Sequence, residues 1–99
     1  MTNKYYAKVT EVDGFRFHSR KEADYYVYLR AMRTSGRIKY FLMQAPLHLP
    51  GNIRYVVDFI EVWANGEIKF TDVKGFRTAI YRLKKKQVEA LYPITIQEV

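Results

Sequence analysis

Two acidic residues and a lysine have types and spacing that could do chemistry. Asp58 lies inside residues 53–63, which are almost continuously apolar, and Asp72 and Lys74 follow the turn at Ala64-Asn65-Gly66. A buried acidic side chain is costly unless it is paired, hydrogen-bonded or bound to a cation. An acid on one strand followed by acid-x-Lys on the next could therefore hold a divalent metal ion beside a lysine, an arrangement suited to phosphodiester hydrolysis.

The length of the turn decides which residues of the two predicted strands face each other. A two-residue Asn65-Gly66 loop would set Asp58 against Val73. A three-residue loop, with Gly66 in a left-handed bulge, sets Asp58 against Asp72 instead. It also gives matched cross-strand pairs, the last of them an expected ion pair: Val62 with Ile68, Ile60 with Phe70, and Glu61 with Lys69. Matched neighbours stabilise a sheet, so we expect this second register, with Lys74 on the same side as both aspartates.

Asp58 and Asp72 held this close together would repel each other unless a cation intervened. Mg²⁺ fits that need because it prefers oxygen ligands and keeps several of its waters, and Mn²⁺ is its expected substitute. The backbone carbonyl of Val73 is a candidate further ligand. Lys74 would orient the attacking water or stabilise charge on the phosphate. The expected chemistry is metal-assisted hydrolysis of a phosphodiester by water.

A helix is predicted over residues 19–34, with Ser19 as its N-cap and Gly36 available for a left-handed C-terminal cap. Glu22 has the capping-box spacing from Ser19, which by itself explains a glutamate at this position. Glu22 also shares a helix face with Leu29, at the end of the stripe expected to be buried. It could therefore reach the aspartates as a further metal ligand, directly or through water. The residues leave both roles open.

Turn and cap signals predict the remaining elements. Asp13-Gly14 predicts a hairpin arm within residues 1–18. Residues 37–49 read as a strand with a candidate break at Ala45-Pro46. Thr78 is the expected cap of a second helix, which leads to a final strand parallel to its predecessor. We expect the second helix over residues 79–92, the final strand over 94–98, and a helix core face formed by Ile80, Leu83, Gln87 and Leu91.

Length and charge bound the class of protein. The 99 residues suit a single domain, residues 1–99, of the mixed α/β (α+β) class. Seventeen Lys and Arg outnumber ten Asp and Glu, and the net charge of +7 points to a polyanionic partner, most simply nucleic acid. The candidate phosphate contacts are Gln44, Arg77, Arg82, Lys84, Lys85 and Lys86. A solvated helix face explains any single one of the basic residues equally well.

Two absences in the sequence narrow the setting. There is no Cys, which excludes disulfides and thiolate zinc sites and suits a reducing cytoplasm. No apolar run approaches the roughly 18 residues that span a bilayer. An anionic membrane surface is the weaker alternative to nucleic acid, because no long basic amphipathic helix stands apart from the core pattern, and no membrane partner is expected.

These residues and motifs give the chain a resemblance to a known family. It is similar to the PD-(D/E)XK nuclease superfamily and, more narrowly, to small phage nucleases of that type, first catalogued as a domain of unknown function and often described as Holliday-junction resolvases. The resemblance runs along nearly the whole chain, including Asp13-Gly14, Glu22-Ala23, Gln44, Asp58-Phe59, Asp72-Val73-Lys74-Gly75, Thr78, Tyr81, Leu83-Lys84 and Tyr92-Pro93.

The resemblance implies a restriction-endonuclease-like core of helix, three antiparallel strands, helix and strand. It also implies that Asp58 and Asp72 are metal ligands, that Lys74 is the catalytic lysine and that Glu22 is the helix glutamate of the site. Two departures stand out: Val57 replaces the proline that names the motif, and the acid before x-Lys is Asp, where Glu is more frequent. The small size of the chain favours a homodimer.

These observations support hypotheses from different classes. The first is a Mg²⁺-dependent DNA endonuclease, structure-selective and resolvase-like, acting in phage recombination or DNA processing in the cytoplasm of a host cell. The alternative is a non-catalytic nucleic-acid-binding domain that keeps the nuclease fold. A third, a small structural or interaction protein, leaves the acid at Asp58 unexplained. Metal-dependent cleavage separates the first two.

Overall fold

The protein is described by a computed structural model that covers residues 9–74 and 77–99. Two helices and two antiparallel or mixed sheets make up an α+β fold, as predicted. In chain order the elements are β1 (Thr10–Val12), β2 (Phe15–Phe17), α1 (Arg20–Thr34), β3 (Ile38–Leu49), β4 (Ile53–Trp63), β5 (Ile68–Asp72), α2 (Ala79–Leu91) and β6 (Ile96–Glu98). The main sheet has the order β3-β4-β5-β6, with β6 parallel to β5 and the other pairs antiparallel.

Helix α1 begins where the sequence predicts. The side chain of Ser19 caps it by accepting a hydrogen bond from the Glu22 backbone N–H at 3.0 Å. The helix ends at Thr34, and Gly36 follows with φ +81, the left-handed conformation expected there. Its buried face comprises Glu22, Ala23, Tyr26 and Leu29. The predicted core stripe, including Glu22 at its N-terminal end, is therefore confirmed.

The turn between β4 and β5 has the three-residue form. Trp63 and Glu67 are joined by a backbone hydrogen bond of 2.9 Å, and Gly66 has φ +94. The strands then pair Val62 with Ile68, Ile60 with Phe70 and Glu61 with Lys69. This is the predicted register. Strand β4 lies between β3 and β5 in the sheet.

The expected ion pair between Glu61 and Lys69 is wrong. Glu61 is fully buried, and its hydrogen-bond donors among the described residues are all neutral: the hydroxyls of Tyr25 and Thr71 and the indole N–H of Trp63. The Lys69 ammonium instead lies 4.6 Å from the centre of the Trp63 ring. Tyr25 comes from α1. Its hydrogen bond, together with those of Thr71 and Trp63, satisfies the Glu61 carboxylate without burying the Lys69 ammonium, which would lose its hydration.

Strand β3 runs without a break through Ala45-Pro46, contrary to the prediction. It is an edge strand, where a missing proline N–H costs no ladder hydrogen bond on the open side. Within β3, Gln44 has a left-handed backbone conformation, with φ +53. On one side of it the hairpin supplies Phe41 and Phe59 to a core with α1; on the other it supplies Leu49, Tyr55 and Val57 to a core with α2. The long hairpin thus serves two cores, and Gln44 marks the change.

Helix α2 begins after Thr78, whose hydroxyl accepts the Tyr81 N–H at 3.0 Å, but its predicted core face is wrong. Ile80, Leu83, Gln87 and Leu91 are exposed. Val88 is fully buried instead, with Tyr81 half-buried beside it. Polar contacts set this orientation, because the Tyr81 hydroxyl bonds Glu98 at 2.8 Å and the Glu89 carboxylate accepts the Ile96 N–H at 2.7 Å.

The N-terminal hairpin turns at Asp13-Gly14, as predicted, and both turn residues have positive φ. It is packed onto α1: the Asp13 carboxylate accepts from the Tyr26 hydroxyl and pairs with Arg30, both at 2.8 Å, and Phe17 is buried. The part of the predicted arm at residues 1–8 lies outside the described residues. Across residues 9–74 and 77–99, neither helix is long and apolar enough to span a bilayer.

Candidate active site

The two aspartates lie where β4 and β5 stop pairing. The ladder ends at Phe59 and Thr71, and beyond it the acids bond each other's strand. The Asp58 N–H donates to Asp72 Oδ1 at 3.0 Å, and the Val73 N–H donates to Asp58 Oδ2 at 2.9 Å. Both aspartates are buried. Carboxylates thus replace the ladder here, which is the opposition of Asp58 and Asp72 that the turn length predicts.

Helix α1 brings Glu22 to the same place. Glu22 is only 5% exposed, and its Oε2 accepts from Gln44 Nε2 at 2.9 Å. The same amide nitrogen lies 3.3 Å from Asp58 Oδ1. Gln44 therefore bridges two carboxylates that come from different elements. The Glu22 backbone N–H bonds the Ser19 side chain, and its carboxylate bonds both Gln44 and the His18 backbone N–H beside the cap. The side chain therefore serves the helix start and the acid cluster together.

The Glu22 and Asp58 carboxyls both hold their protons more tightly than usual. Burial raises the pKa of Glu22, and the charge of Asp58 raises it further, while His18 and Lys74 oppose the shift. Burial likewise raises the pKa of Asp58, with Asp72 adding to it against the Val73 N–H and Lys74. In a buried site each carboxylate disfavours the charged form of the other, and a bound cation would favour the charged form of both.

Asp72 has different partners from the other two acids. Its Oδ2 accepts a hydrogen bond from the hydroxyl of Tyr55 and lies 3.2 Å from that of Tyr81. Its Oδ1 accepts the Asp58 N–H. Burial, followed by the hydrogen bond to Asp72, raises the pKa of Tyr55 well above its usual range, so this phenol stays a donor. The Asp72 carboxylate is thus held by neutral donors on the α2 side.

Lys74 stands at the edge of the acids. Its backbone N–H bonds the Val99 carbonyl at 3.3 Å, and its own carbonyl is 3.4 Å from Lys21 Nζ. Its ammonium lies 4.9 Å from the centre of the Tyr81 ring. From there its charge lowers the pKa of both Glu22 and Asp58. The predicted lysine is therefore close enough to act on the same acids.

The donor set fits a divalent metal centred on two carboxylates. Glu22 and Asp58 offer carboxylate oxygens, whereas Gln44 presents its amide nitrogen to both acids as a donor. Mg²⁺ commonly takes one or two carboxylates and completes its shell with water. Within the described part of the chain, no three His, Cys, Asp or Glu residues are grouped closely enough to hold a metal ion together. Ligation by Asp72 remains a prediction. The role of the Val73 carbonyl also remains a prediction.

The basic residues predicted to contact phosphate divide into two groups. Arg77 and Lys85 both pair with Glu98, at 2.7 and 3.6 Å. Arg82 and Lys86 are exposed, and Lys84 is half-buried. The exposed pair presents charge most directly to a polyanion, because an ion-paired cation must first give up its partner.

Sequence reasoning missed the tyrosines that hold Asp72. Tyr55 reads as one apolar residue in a buried strand, and Tyr81 as one residue of an amphipathic helix. A buried tyrosine nevertheless needs a partner for its hydroxyl. A tyrosine in place of phenylalanine near an aspartate in a core strand was therefore the available signal.

Comparison with known proteins gives one match. The family model described as "Protein of unknown function (DUF1064)" matches residues 2–97, so the chain belongs to this family. No curated protein and no solved structure matches the chain.

Proposed function

We propose that this member of the DUF1064 family is a Mg²⁺-dependent DNA endonuclease with a restriction-endonuclease-like, PD-(D/E)XK-type core. The observation that carries the proposal is the pair of buried carboxylates, Glu22 and Asp58, which share the Gln44 amide and feel the charge of Lys74. Two acids from a helix and a strand, at the end of a ladder, are poorly explained by stability alone. The order α1, three antiparallel strands, α2 and a strand supports the fold assignment.

In this proposal Glu22 and Asp58 hold the metal ion, with Asp72 and the Val73 carbonyl as further expected ligands. When bound, the ion supplies Lewis-acid polarisation of the scissile phosphate and acidifies a water molecule. Lys74, anchored through its backbone to Val99, places an ammonium where it can orient that water or meet charge on the phosphate.

Two further features support DNA as the substrate. The net charge of +7 attracts a polyanion. Arg82 and Lys86 stand exposed on α2, and Arg77, Lys84 and Lys85 lie along the same helix and its approach. Gln44 is the expected contact nearest the acids, since its amide already reaches both. The setting we propose is resolvase-like processing of branched DNA during phage recombination, in the cytoplasm of a host cell.

A homodimer is part of the proposal, and an uncharged sheet face supports it. Tyr40, Leu42 and Ile68 are each more than half exposed. Tyr40 and Ile68 are the cross-strand neighbours of the half-buried Val62, and Leu42 is that of the half-buried Ile60, on the face that points away from α1. Self-association through uncharged side chains avoids the repulsion that a chain of net charge +7 meets elsewhere. In solution-mass measurements Leu42→Glu should give the monomer, whereas Leu83→Glu, on exposed α2, should leave the dimer.

One observation favours the second candidate, a non-catalytic DNA-binding domain. The Asp72 carboxylate and the Asp58 carboxylate each bond the other's strand, so part of this acid cluster holds the sheet together. In that case the cluster would be structural and the basic surface would be the whole function.

Cleavage of labelled DNA separates the two candidates. Linear duplex, flap and four-way-junction substrates are incubated with Mg²⁺, Mn²⁺ or EDTA. The endonuclease proposal predicts metal-dependent cleavage that is lost in Asp72→Ala and Lys74→Ala and kept in Asp24→Ala, which removes an exposed acid of α1. Tight, salt-sensitive binding without cleavage of any substrate would establish the binding domain instead.

A further inference from the structure

A cavity of about 310 Å³ opens between β2 and β3, next to the acids. Gln44, which bonds Glu22 and Asp58, forms part of its wall. So does His18, whose electrostatic interaction and backbone N–H lower the pKa of Glu22. Phe15, Arg16, Phe17 and Met43 complete the lining. The cavity therefore shares two residues with the candidate active site while standing beside it.

Its walls combine three kinds of contact. Phe15 is 44% exposed, and its ring is braced edge-on by Tyr26 with centroids 5.6 Å apart. A braced yet exposed aromatic ring offers a flat face for stacking. Gln44 offers an amide that can both donate and accept, and Arg16 and His18 are exposed basic side chains.

This combination is the chemistry that recognises an unstacked nucleobase. A base taken out of a helix is held by stacking on an aromatic ring and by hydrogen bonds to its edge, with cations for the adjoining phosphates. The volume is near the roughly 300 Å³ lower limit of ligand pockets, which suits one flat heterocycle. Two further cavities differ: one is lined by Leu49, Pro50 and α2, another lies by Arg54 and Lys84, and neither includes a residue that bonds Glu22 or Asp58.

We propose that this cavity binds one unpaired nucleobase of the DNA strand whose neighbouring phosphate reaches Glu22 and Asp58. The inference rests on the proposed function, since it takes DNA as the ligand. A single base held here gives a physical source for selectivity: duplex DNA must first unpair and unstack a base, whereas a branch point or flap already presents one. Phe15 is the stacking residue and Gln44 the residue that meets both base and acids.

The test is a binding measurement in EDTA, so that nothing is cut. One probe is a duplex with a single unpaired adenine at a branch point, and the other carries an abasic site there. The wild-type protein should bind the adenine probe about 5- to 100-fold more tightly than the abasic probe, the range for one stacked base. Equal affinity for the two probes would overturn the inference, and this comparison needs no variant to fold.

Matched variants then locate the stacking. Phe15→Leu should lower affinity for the adenine probe to the abasic level and leave abasic binding unchanged. Tyr28→Leu removes a ring of equal exposure on α1, away from the cavity, and should change neither. Equal losses in both variants would contradict the assignment.

The outcome is separable from that of the proposed function. A protein that cuts DNA with Mg²⁺ but binds both probes equally loses only this inference. A protein that discriminates between the probes but never cuts keeps the pocket and loses the endonuclease assignment. A protein that binds neither probe and never cuts loses both.

Discussion

Strand β4 carries two buried acids three residues apart, and they have opposite surroundings. Glu61 accepts hydrogen bonds from Tyr25, Thr71 and Trp63, all neutral donors. Asp58 lies among charges: it shares Gln44 with Glu22, and its pKa is affected by Asp72 and Lys74. A buried acid alone is therefore no sign of a functional site. Acids that share donors with other acids, beside a cation, are a far stronger one.

The largest expected contrast between these acids is in catalysis. Asp58→Asn should reduce metal-dependent DNA cleavage at least about 100-fold, because it removes the charge that a metal ion requires. Glu61→Gln should leave the rate within a few-fold, since its neighbours are not expected to touch substrate. Initial rates on the best-cut substrate, at saturating Mg²⁺, measure both. Equal losses in the two variants would break the distinction between the regions.

Stability should show the reverse contrast. Glu61→Ala removes the acceptor of three donors, of which Thr71 is buried and Tyr25 and Trp63 are half-buried, and it opens a cavity. We therefore expect the free energy of unfolding to fall by about 3 kcal/mol or more. Asp58→Asn keeps an oxygen for the Val73 N–H and relieves repulsion among the acids, so its loss should be much smaller. Urea denaturation without metal gives both values. A larger loss for Asp58→Asn would mean that the acid cluster is chiefly structural.

The residues that donate to each acid should differ in their effect on metal affinity. Removing a group that orients a metal ligand typically lowers affinity about 10- to 100-fold. We expect a loss in that range for Gln44→Ala, which bonds Glu22 and Asp58. Trp63→Phe removes the indole donor of Glu61 and should leave Mn²⁺ affinity unchanged. Mn²⁺ titration of both variants measures this, and unchanged affinity in Gln44→Ala would count against Gln44 as an orienting group.

The smallest expected effect is on the pH dependence of stability. The pKa of Glu22 is raised in the folded state, so this state binds the proton more tightly than the unfolded one. Below its ordinary pKa of 4.5, Glu22 is protonated in both states, so its titration does not change the stability with pH. As pH rises from 4.5 through the raised pKa of the folded state, stability is lost because the unfolded state gives up its proton first. Glu22→Gln should therefore melt higher than wild type at neutral pH without metal, and the difference should vanish in acid. A constant difference across pH would contradict this account.

Mg²⁺ gives the control for the same experiment. The ion should raise the melting temperature of the wild type at neutral pH and leave that of Glu22→Gln nearly unchanged, because binding to the folded state alone stabilises it.

Local rules predicted much of this molecule. Ser19 and Thr78 cap their helices, Asp13-Gly14 turns its hairpin, and the matching of Ile60 with Phe70 fixed the register that opposes the aspartates. Each of these depends on neighbours in sequence or on one strand pair, which pattern can supply.

Long-range contacts decided the rest. The spacing of Ile80 and Leu83 on α2 predicted a core face, but both residues are exposed, and the Tyr81 hydroxyl bonds Glu98 instead. The Glu61 and Lys69 pair had the right register but lost to donors from α1. The hold of Tyr55 on Asp72 joins residues 17 apart across the core. Strand periodicity contains no information on which side-chain hydroxyl meets which carboxylate.

The central claim is that Glu22 and Asp58 together form a metal site. The most direct test is a titration of the protein with Mn²⁺ in which the electron paramagnetic resonance signal measures the concentration of free ion. We predict saturable binding that is lost in both Glu22→Gln and Asp58→Asn and retained in Glu61→Gln and Asp24→Asn. Binding that survives in Glu22→Gln, or no binding by the wild-type protein, would contradict the claim.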